Sequence, residues 1–270
     1  MTVVMERTVS KDGTSIAYQR SDVGAEGGAA IVFVGGAFNL RDTCLPIAEL
    51  LAPEGIATVV YDRRARGDSG DIRPYAIERE IDDLAAVIDL VGGRASVFGF
   101  SSGGVLALAA AAAGVGVDRV FLYEAPFRFD PDARAQLDPG LPARLQALVD
   151  DGRPGDAVSL FQREGIGLPA EVVEQIKHAP FFPALEAIAQ SVVYDATITT
   201  TLAVPTREMV AVTTPVTVMR GERTWPLLES AAEELVRLLP GARLEVIPGA
   251  ADHGLPAEPL AAHLRAALAR

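Results

Sequence analysis

A serine between two glycines is the residue of this sequence best placed to act as a nucleophile. Residues 99–103 read Gly-Phe-Ser-Ser-Gly and fit the pattern G-x-S-x-G, in which a serine occupies a sharp turn from a strand into a helix. A β-prone stretch, Ala95 to Phe98, precedes the motif, and a helix-forming Ala/Leu stretch follows Gly104. Because Ser101 must adopt strained backbone, its neighbours have to be small. The turn also places its hydroxyl at a helix N-terminus, where free N–H groups favour negative charge.

A serine hydroxyl is a poor nucleophile unless a base takes its proton and an acid orients that base. The sequence has three histidines. His253 lies in a loop after the predicted strand Arg243–Ile247, at the carboxyl end of the last strand, where the sites of open sheets assemble. His178 and His263 lie in helical patterns and are interpreted as solvated or half-buried helix residues. His253 is therefore the predicted base.

Strands and helices alternate along most of the chain. The pattern predicts an N-terminal hairpin within residues 6–21 and then an open α/β sheet with right-handed crossovers, because continuous apolar runs are typical of strands buried on both faces. The predicted strands of that sheet are Ala30–Val34, Ala57–Tyr61, Ala95–Phe98, Arg119–Tyr123, Val216–Arg220 and Arg243–Ile247. The helices between them lie near 42–52 and 75–91, in the Ala/Leu stretch after Gly104, near 226–239 and from 258 onward.

The alternation stops between residues 127 and 207, where only helical patterns separated by proline and glycine are found. The candidate helices are 142–150, 155–164, 169–178 and 183–191. We therefore predict an α/β core formed by residues 1–127 and 208–270, with a helical cap of residues 128–207 inserted before the penultimate strand.

Composition excludes several classes of function. The formal net charge of -12 disfavours nucleic acid and anionic membranes as partners. The longest apolar run, Val105 to Ala113, is too short to span a bilayer, and the first seven residues do not resemble a signal peptide. The single cysteine, Cys44, is consistent with a reducing cytoplasm. No metal-ligand spacing or nucleotide-binding motif is present, so we expect no metal and no cofactor; the oligomeric state stays open.

Together these parts resemble the α/β-hydrolase fold family over nearly the whole chain. The resemblance is carried by the Gly35-Gly36 turn, the loop Asp62–Gly70, the Ser101 motif, the inserted cap and the Asp252-His253-Gly254 step. It implies an oxyanion hole formed by the backbone N–H groups of Ala37 and Ser102. Family members usually carry His-Gly in place of Gly35-Gly36, but a backbone donor does not depend on that histidine. The charged residues of the Asp62–Gly70 loop, in which Ala65 replaces the family's usual glycine, are interpreted as structural.

The resemblance leaves two candidates for the acid. Many members place an aspartate shortly after the strand that follows the cap, but Thr224 occupies that position here. One branch, which includes many haloalkane dehalogenases, carries a glutamate just after the strand preceding the cap, and Glu124 matches it. A carboxylate ending a buried strand also needs a partner. We predict Glu124 as the acid and keep Glu222 as the alternative. Because those dehalogenases use an aspartate nucleophile, Ser101 argues against dehalogenation.

Aromatic residues are frequent in the predicted cap and at its edges, Phe161 among them, and they indicate an apolar pocket. Our interpretation is a cofactor-free serine hydrolase that cleaves an ester, lactone or thioester of a small apolar molecule through an acyl-enzyme on Ser101. Two alternatives stay open: a lyase, epimerase or cyclase that uses the serine and histidine as a proton shuttle, or a ligand-binding protein without turnover. The residues selected for the pocket are Phe38, Phe100, Phe127, Phe181, Phe182 and Trp225.

Overall fold

The computed structural model describes residues 5–21 and 29–269 and shows one sheet of eight strands. The strands are β1 (Glu6–Val9), β2 (Ser15–Ser21), β3 (Ala30–Val34), β4 (Ala57–Tyr61), β5 (Ala95–Phe100), β6 (Val117–Tyr123), β7 (Val216–Arg223) and β8 (Arg243–Ala251). Their order in the sheet is β1-β2-β4-β3-β5-β6-β7-β8. The pairs β1–β2 and β2–β4 are antiparallel and the other five are parallel. The predicted mostly parallel sheet is confirmed.

Twelve α-helices accompany the sheet in the described residues. They are α1 (Leu45–Leu51), α2 (Ile77–Asp89), α3 (Ser102–Ala112), α4 (Pro131–Ala135), α5 (Leu141–Asp150), α6 (Pro154–Leu160), α7 (Ala170–Lys177), α8 (Phe182–Ala187), α9 (Ala189–Thr201), α10 (Arg207–Val210), α11 (Pro226–Leu238) and α12 (Ala257–Leu268). Short 3₁₀ turns flank α1, and a π-helical turn, Phe161–Ile166, follows α6. Helices α2, α3 and α11 contribute to the apolar core on one face of the sheet, and α1 and α12 contribute to the core on the other face.

Every residue between β6 and β7 is described, and none of them is in a strand. Helices α4 to α10 fill this stretch, so the insertion is helical as predicted, but α4 and α10 match none of the four candidate helices. Buried side chains of α5, α6 and α9 form an apolar cluster that also contacts Ala37 and Phe38 of the core. The inserted helices therefore cover the turn that follows β3.

Several element boundaries differ by a few residues from the sequence-based expectation, and two of these differences have an identifiable reason. Helix α9 continues to Thr201, ten residues beyond its predicted end at Ser191. Its threonines have low helix propensity, but Val193, Ala196 and Ile198 of the same helix are buried, and this packing overrides the propensity. Strand β8 runs through Pro248 and Gly249 to Ala251 instead of ending at Ile247. Pro248 fits there because β8 is an edge strand.

A few expectations concern residues beyond those described. The predicted core segments include residues 1–4, 22–28 and 270, which lie outside the described residues. The expectation of no signal peptide also concerns residues 1–4. Within 5–21 and 29–269, none of the helices combines the length and apolar character that a membrane span requires. Cys44 is buried in the core.

Candidate active site

Ser101 occupies the turn between β5 and α3 with strained backbone. Its φ of 54° and ψ of -124° are unusual for a residue with a side chain. Close packing around the turn imposes this geometry and requires glycine nearby. A Cβ on Gly103 would lie 2.3 Å from the carbonyl oxygen of Val34, and one on Gly36 would lie 2.7 Å from the Cβ of Ser101. The small residues of the motif are therefore steric requirements of the fold.

Glu124 and His253 meet at the carboxyl ends of β6 and β8. Glu124 follows β6 directly and is 1% exposed, and His253 lies in the turn two residues after β8. His253 Nδ1 lies 2.5 Å from Glu124 Oε2, while Glu124 Oε1 accepts a hydrogen bond of 2.8 Å from the backbone N–H of Gly221. Burial alone would raise the pKa of Glu124, but the hydrogen bonds from His253 and Gly221 outweigh it and lower the pKa below its ordinary value of 4.5. The carboxyl is therefore ionised beside the imidazole.

The imidazole is held by aromatic neighbours and shares a cavity with Ser101. The ring of His253 packs against Phe100 and Trp225, with centroid separations of 4.6 and 5.2 Å. Ser101 and His253 line the same cavity of about 280 Å³. No hydrogen bond joins Ser101 Oγ to the ring among the described contacts. In enzymes without substrate this bond is commonly long and tightens when the substrate binds.

Two backbone N–H groups are available beside the serine. Ala37 and Ser102 line the cavity, and the amide of neither donates a hydrogen bond to an acceptor in the described part of the chain. Asn39 supports the turn that carries Ala37, because its side-chain oxygen accepts a hydrogen bond of 2.8 Å from the amide of Gly36. An oxyanion at this point of the cavity would find two unoccupied donors.

The structure separates the six candidate pocket residues into two groups. Phe38, Phe100 and Trp225 line the cavity. The other three do not: Phe127 is buried in the core beside the sheet, Phe181 is 55% exposed, and Phe182 packs in a separate cluster with Val158 and Ala189. Phe127 and Phe181 lie in connecting segments and Phe182 begins α8, and sequence pattern does not give the direction of a side chain in either setting. The remaining lining residues are Asn39, Pro126, Arg128, Phe161, Gly165, Ile166, Thr199, Leu227 and Leu228.

The two candidate acids lie in different surroundings. Glu222 is exposed near the end of β7, where its carboxylate accepts a hydrogen bond of 3.0 Å from the amide of Gly249, and the described contacts include none between Glu222 and His253. Thr224, at the position where many family members carry the acid, lies beside the carboxylate of Glu124. The geometry therefore pairs Glu124 with the imidazole.

A buried network of charges lies next to the serine. The carboxylate of Asp195 on α9 is paired with Arg63 at 2.9 Å and with Arg66 at 2.7 Å, and it accepts a hydrogen bond of 2.7 Å from the hydroxyl of Ser102. Arg63 is paired with Glu80 as well. All of these side chains are buried, so the protein interior holds two guanidinium groups and the two carboxylates that balance them.

The same network holds the turn after β3. Arg63 donates a hydrogen bond of 3.2 Å to the carbonyl of Gly35, and Arg66 donates to the carbonyl of Gly36. The network thus joins the turn that carries Ala37, the side chain of Ser102 and the inserted helix α9. Sequence reasoning interpreted the arginines as structural and missed Asp195. The signal was a single carboxylate within the apolar stretch 192–198 of α9, because a buried charge requires a partner.

We expect Asp195→Asn to lower the free energy of unfolding by about 3–5 kcal/mol, because it leaves a buried positive charge without its counterion. Burial would raise the pKa of Asp195, but Arg66, Arg63 and Ser102 outweigh it and hold the pKa below 3.8. The charge therefore stabilises the fold fully above that pH, and its contribution is lost as pH falls through the lower pKa of the folded state. Denaturant unfolding of both proteins between pH 3 and pH 7 measures the difference.

Asp156→Asn is the matched control, because Asp156 is exposed and paired with Arg153 on the surface. Its effect should stay below about 1 kcal/mol. The assigned role of the buried charge would be contradicted if the two variants lost the same free energy of unfolding. It would also be contradicted if the loss for Asp195→Asn did not become smaller at acid pH.

Comparison with known proteins places this chain in a family. A model described as the alpha/beta hydrolase family matches residues 31–265. An alpha/beta hydrolase from Sphaerobacter thermophilus superposes with a TM-score of 0.86 and 41% identity over 96% of this chain and 98% of that one. Comparison with curated proteins gave no match.

More distant structures share the fold. A thermophilic esterase from Thermogutta terrifontis, solved with malate bound, has a TM-score of 0.69 and 23% identity, with 98% of each chain covered. An esterase from Rhodococcus has a TM-score of 0.65 and 21% identity, again with 98% of each chain covered. The similarity therefore extends over nearly the full length in each case.

Proposed function

Because this chain belongs to the alpha/beta hydrolase family, we propose that it is a serine hydrolase that cleaves an ester, lactone or thioester of a small, largely apolar molecule. Ser101 is the proposed nucleophile, His253 the base and Glu124 the acid. The backbone N–H groups of Ala37 and Ser102 are the proposed oxyanion hole. Phe38, Phe100 and Trp225 are the predicted pocket residues retained in this proposal.

The hydrogen bond between His253 Nδ1 and Glu124 Oε2 is the strongest support for this proposal. Glu124 is buried and its pKa is lowered, so an ionised carboxylate is held against one nitrogen of the ring. A proton on Nδ1 leaves Nε2 as the nitrogen that can accept a proton. The ring is thus prepared to act as a base in the cavity that contains Ser101.

The proposed reaction has two stages. Ser101 Oγ attacks the substrate carbonyl as its proton passes to His253 Nε2, and the negative oxygen accepts hydrogen bonds from the amides of Ala37 and Ser102. His253 then returns the proton to the leaving group, which departs and leaves an acyl group on Ser101. Water, deprotonated by the same ring, releases the acid and restores the serine. Glu124 stabilises the imidazolium formed in each stage.

A panel of 4-nitrophenyl esters with acyl chains from two to twelve carbons tests the proposal, with a small lactone and a thioester beside it. We expect turnover of the short esters and a fall in kcat/KM of at least about tenfold between the six-carbon and twelve-carbon chains, because the cavity is small. Release of nitrophenol measures the rate. A fluorophosphonate probe should also label Ser101, which peptide mass spectrometry locates.

The ester panel and the probe labelling together distinguish the proposed hydrolase from its alternatives. Labelling of Ser101 without turnover of any ester, lactone or thioester would favour a proton-shuttle enzyme. Failure of both labelling and turnover would favour a binding protein and would overturn the proposed hydrolase.

A further inference from the structure

Arg128 is a charged side chain in the wall of the cavity that contains Ser101. It lies five residues beyond the end of β6, and its backbone N–H donates a hydrogen bond of 2.7 Å to the carbonyl of Ala203, which fixes the chain there. The residues that line the cavity include neither aspartate nor glutamate. Apart from the imidazole of His253, Arg128 is the only ionisable side chain among them.

The guanidinium of Arg128 has no counterion in the described part of the chain. Its one hydrogen bond runs from Nη2 to the carbonyl oxygen of Gly165, at 3.1 Å. By contrast, the buried arginines Arg63, Arg64 and Arg66 each contact at least one carboxylate. Burial lowers the pKa of Arg128, and no nearby carboxylate acts to raise it. The side chain is therefore a partly desolvated cation whose charge the described residues leave unbalanced.

Such a cation is costly in an apolar cavity unless a ligand supplies the opposite charge. An arginine has five N–H donors, and the bond to Gly165 uses one of them. The bond also holds the guanidinium in place, so the remaining donors can meet a ligand with little further ordering. A planar guanidinium matches the two oxygens of a carboxylate, which it can bind through two parallel hydrogen bonds.

We propose that Arg128 binds a carboxylate of the substrate, which makes the substrate class an ester, lactone or thioester that carries one carboxylate on an otherwise apolar skeleton. This inference rests on the proposed hydrolase function and replaces the wholly apolar substrate expected from the aromatic residues. A carboxylate fits better than a phosphate dianion, because the cavity offers one guanidinium and otherwise mainly apolar side chains. The net charge of -12 also disfavours more highly charged anions.

Two pairs of esters of equal shape test the inference, one for each side of the scissile bond. On the acyl side, 4-nitrophenyl hydrogen adipate is compared with 4-nitrophenyl 6-methylheptanoate, in which an isopropyl group replaces the carboxylate. On the alcohol side, 4-acetoxybenzoate is compared with 4-isopropylphenyl acetate. In the protein with Arg128 we expect kcat/KM for the carboxylate ester to exceed that of its neutral partner by about 10- to 100-fold in one of the pairs.

The variant Arg128→Gln removes the charge but keeps an N–H donor for the carbonyl of Gly165. We expect the charged-to-neutral ratio of kcat/KM to fall by about 10- to 100-fold, chiefly through KM. Arg128→Lys should restore part of the ratio, because it returns the charge without the planar fork. Arg153→Gln is the matched control: Arg153 is exposed, lies on the inserted segment and is absent from the cavity wall. Its ratio should equal that of the unaltered protein.

Binding gives a readout that does not depend on turnover. Adipate titrated calorimetrically into Ser101→Ala should bind, while 1,6-hexanediol should not. The double variant Ser101→Ala/Arg128→Gln should bind adipate at least about tenfold more weakly. Near-ultraviolet circular dichroism and the unfolding midpoint of each variant verify that it is folded.

The outcomes separate this inference from the proposed function. If the neutral ester is preferred in both pairs, or if Arg128→Gln lowers the charged and neutral esters by the same factor, Arg128 serves only to hold Gly165 and the inference is overturned while the hydrolase stands. If no ester is turned over and Ser101 is not labelled, yet adipate binds through Arg128, the hydrolase is overturned while the carboxylate site stands.

Discussion

Ser101→Ala is expected to lower kcat/KM for 4-nitrophenyl esters by roughly 10⁴- to 10⁶-fold, which corresponds to about 5–8 kcal/mol of transition-state stabilisation. The variant lacks the oxygen that would form the acyl-enzyme, and the free Ala37 and Ser102 amides can polarise a carbonyl but cannot attack it. The strained turn should persist, because neighbouring glycines and backbone contacts impose it. Initial rates and probe labelling of the purified variant measure the loss.

Ser230→Ala is the control for this experiment, because Ser230 is exposed on α11 and is absent from the cavity wall. It should keep both the rate and the labelling of the unaltered protein. Retention of more than about one hundredth of the activity by Ser101→Ala would show that Ser101 is not the nucleophile.

Glu124→Gln is expected to lower kcat by roughly 10³- to 10⁴-fold with a smaller change in KM. The amide keeps the size of the side chain but removes the negative charge that stabilises the imidazolium. It can also present an N–H group to Nδ1 and so hold the ring in the wrong tautomer. Steady-state kinetics on a short 4-nitrophenyl ester separates kcat from KM.

In the Glu124→Gln background, Thr224→Asp should raise kcat by about tenfold. Thr224 lies beside the carboxylate of Glu124, so an aspartate at that position brings a charge close to the same imidazole from β7 instead of β6. A purely structural role for Glu124 predicts no such recovery. The rescue therefore distinguishes a lost charge from a damaged fold.

Glu222→Gln is the matched control for the acid, since Glu222 is exposed and accepts a hydrogen bond from the amide of Gly249. Its activity should stay within about threefold of the unaltered protein. A loss with Glu222→Gln that exceeds the loss with Glu124→Gln would reverse the assignment of the acid.

The sequence predicts those parts of the molecule that depend on local pattern. Apolar runs followed by glycine give the parallel strands, and the small residues around Ser101 give the turn, because sterics there act between neighbours in the chain. His253 could be selected because the end of the last strand falls at the edge where parallel strands converge. The proximity of Glu124 to that edge follows from the same rule and from its place after β6.

Features that depend on packing between distant segments could not be predicted in this way. Arg128 lies in the coil after β6 and Asp195 lies on α9, and sequence pattern does not give the direction of either side chain relative to the sheet. Phe182 shows the same limit, since its apolar character suits a pocket wall and an internal cluster equally well. Only the positions of the inserted helices decide which side chains reach the cavity.

The anchoring of α9 has a consequence for protein engineering. Exchange of the inserted helices between relatives is an obvious way to change substrate range, but α9 carries the counterion of Arg63 and Arg66. A chimera that lacks a carboxylate at position 195 would leave Arg63 and Arg66 with Glu80 as their one buried counterion. It would thereby weaken the contacts that hold the turn carrying Ala37. Grafts confined to residues 131–187 leave that counterion intact, so the cavity-lining residues of that segment can be exchanged while the charge network beside Ser101 is kept.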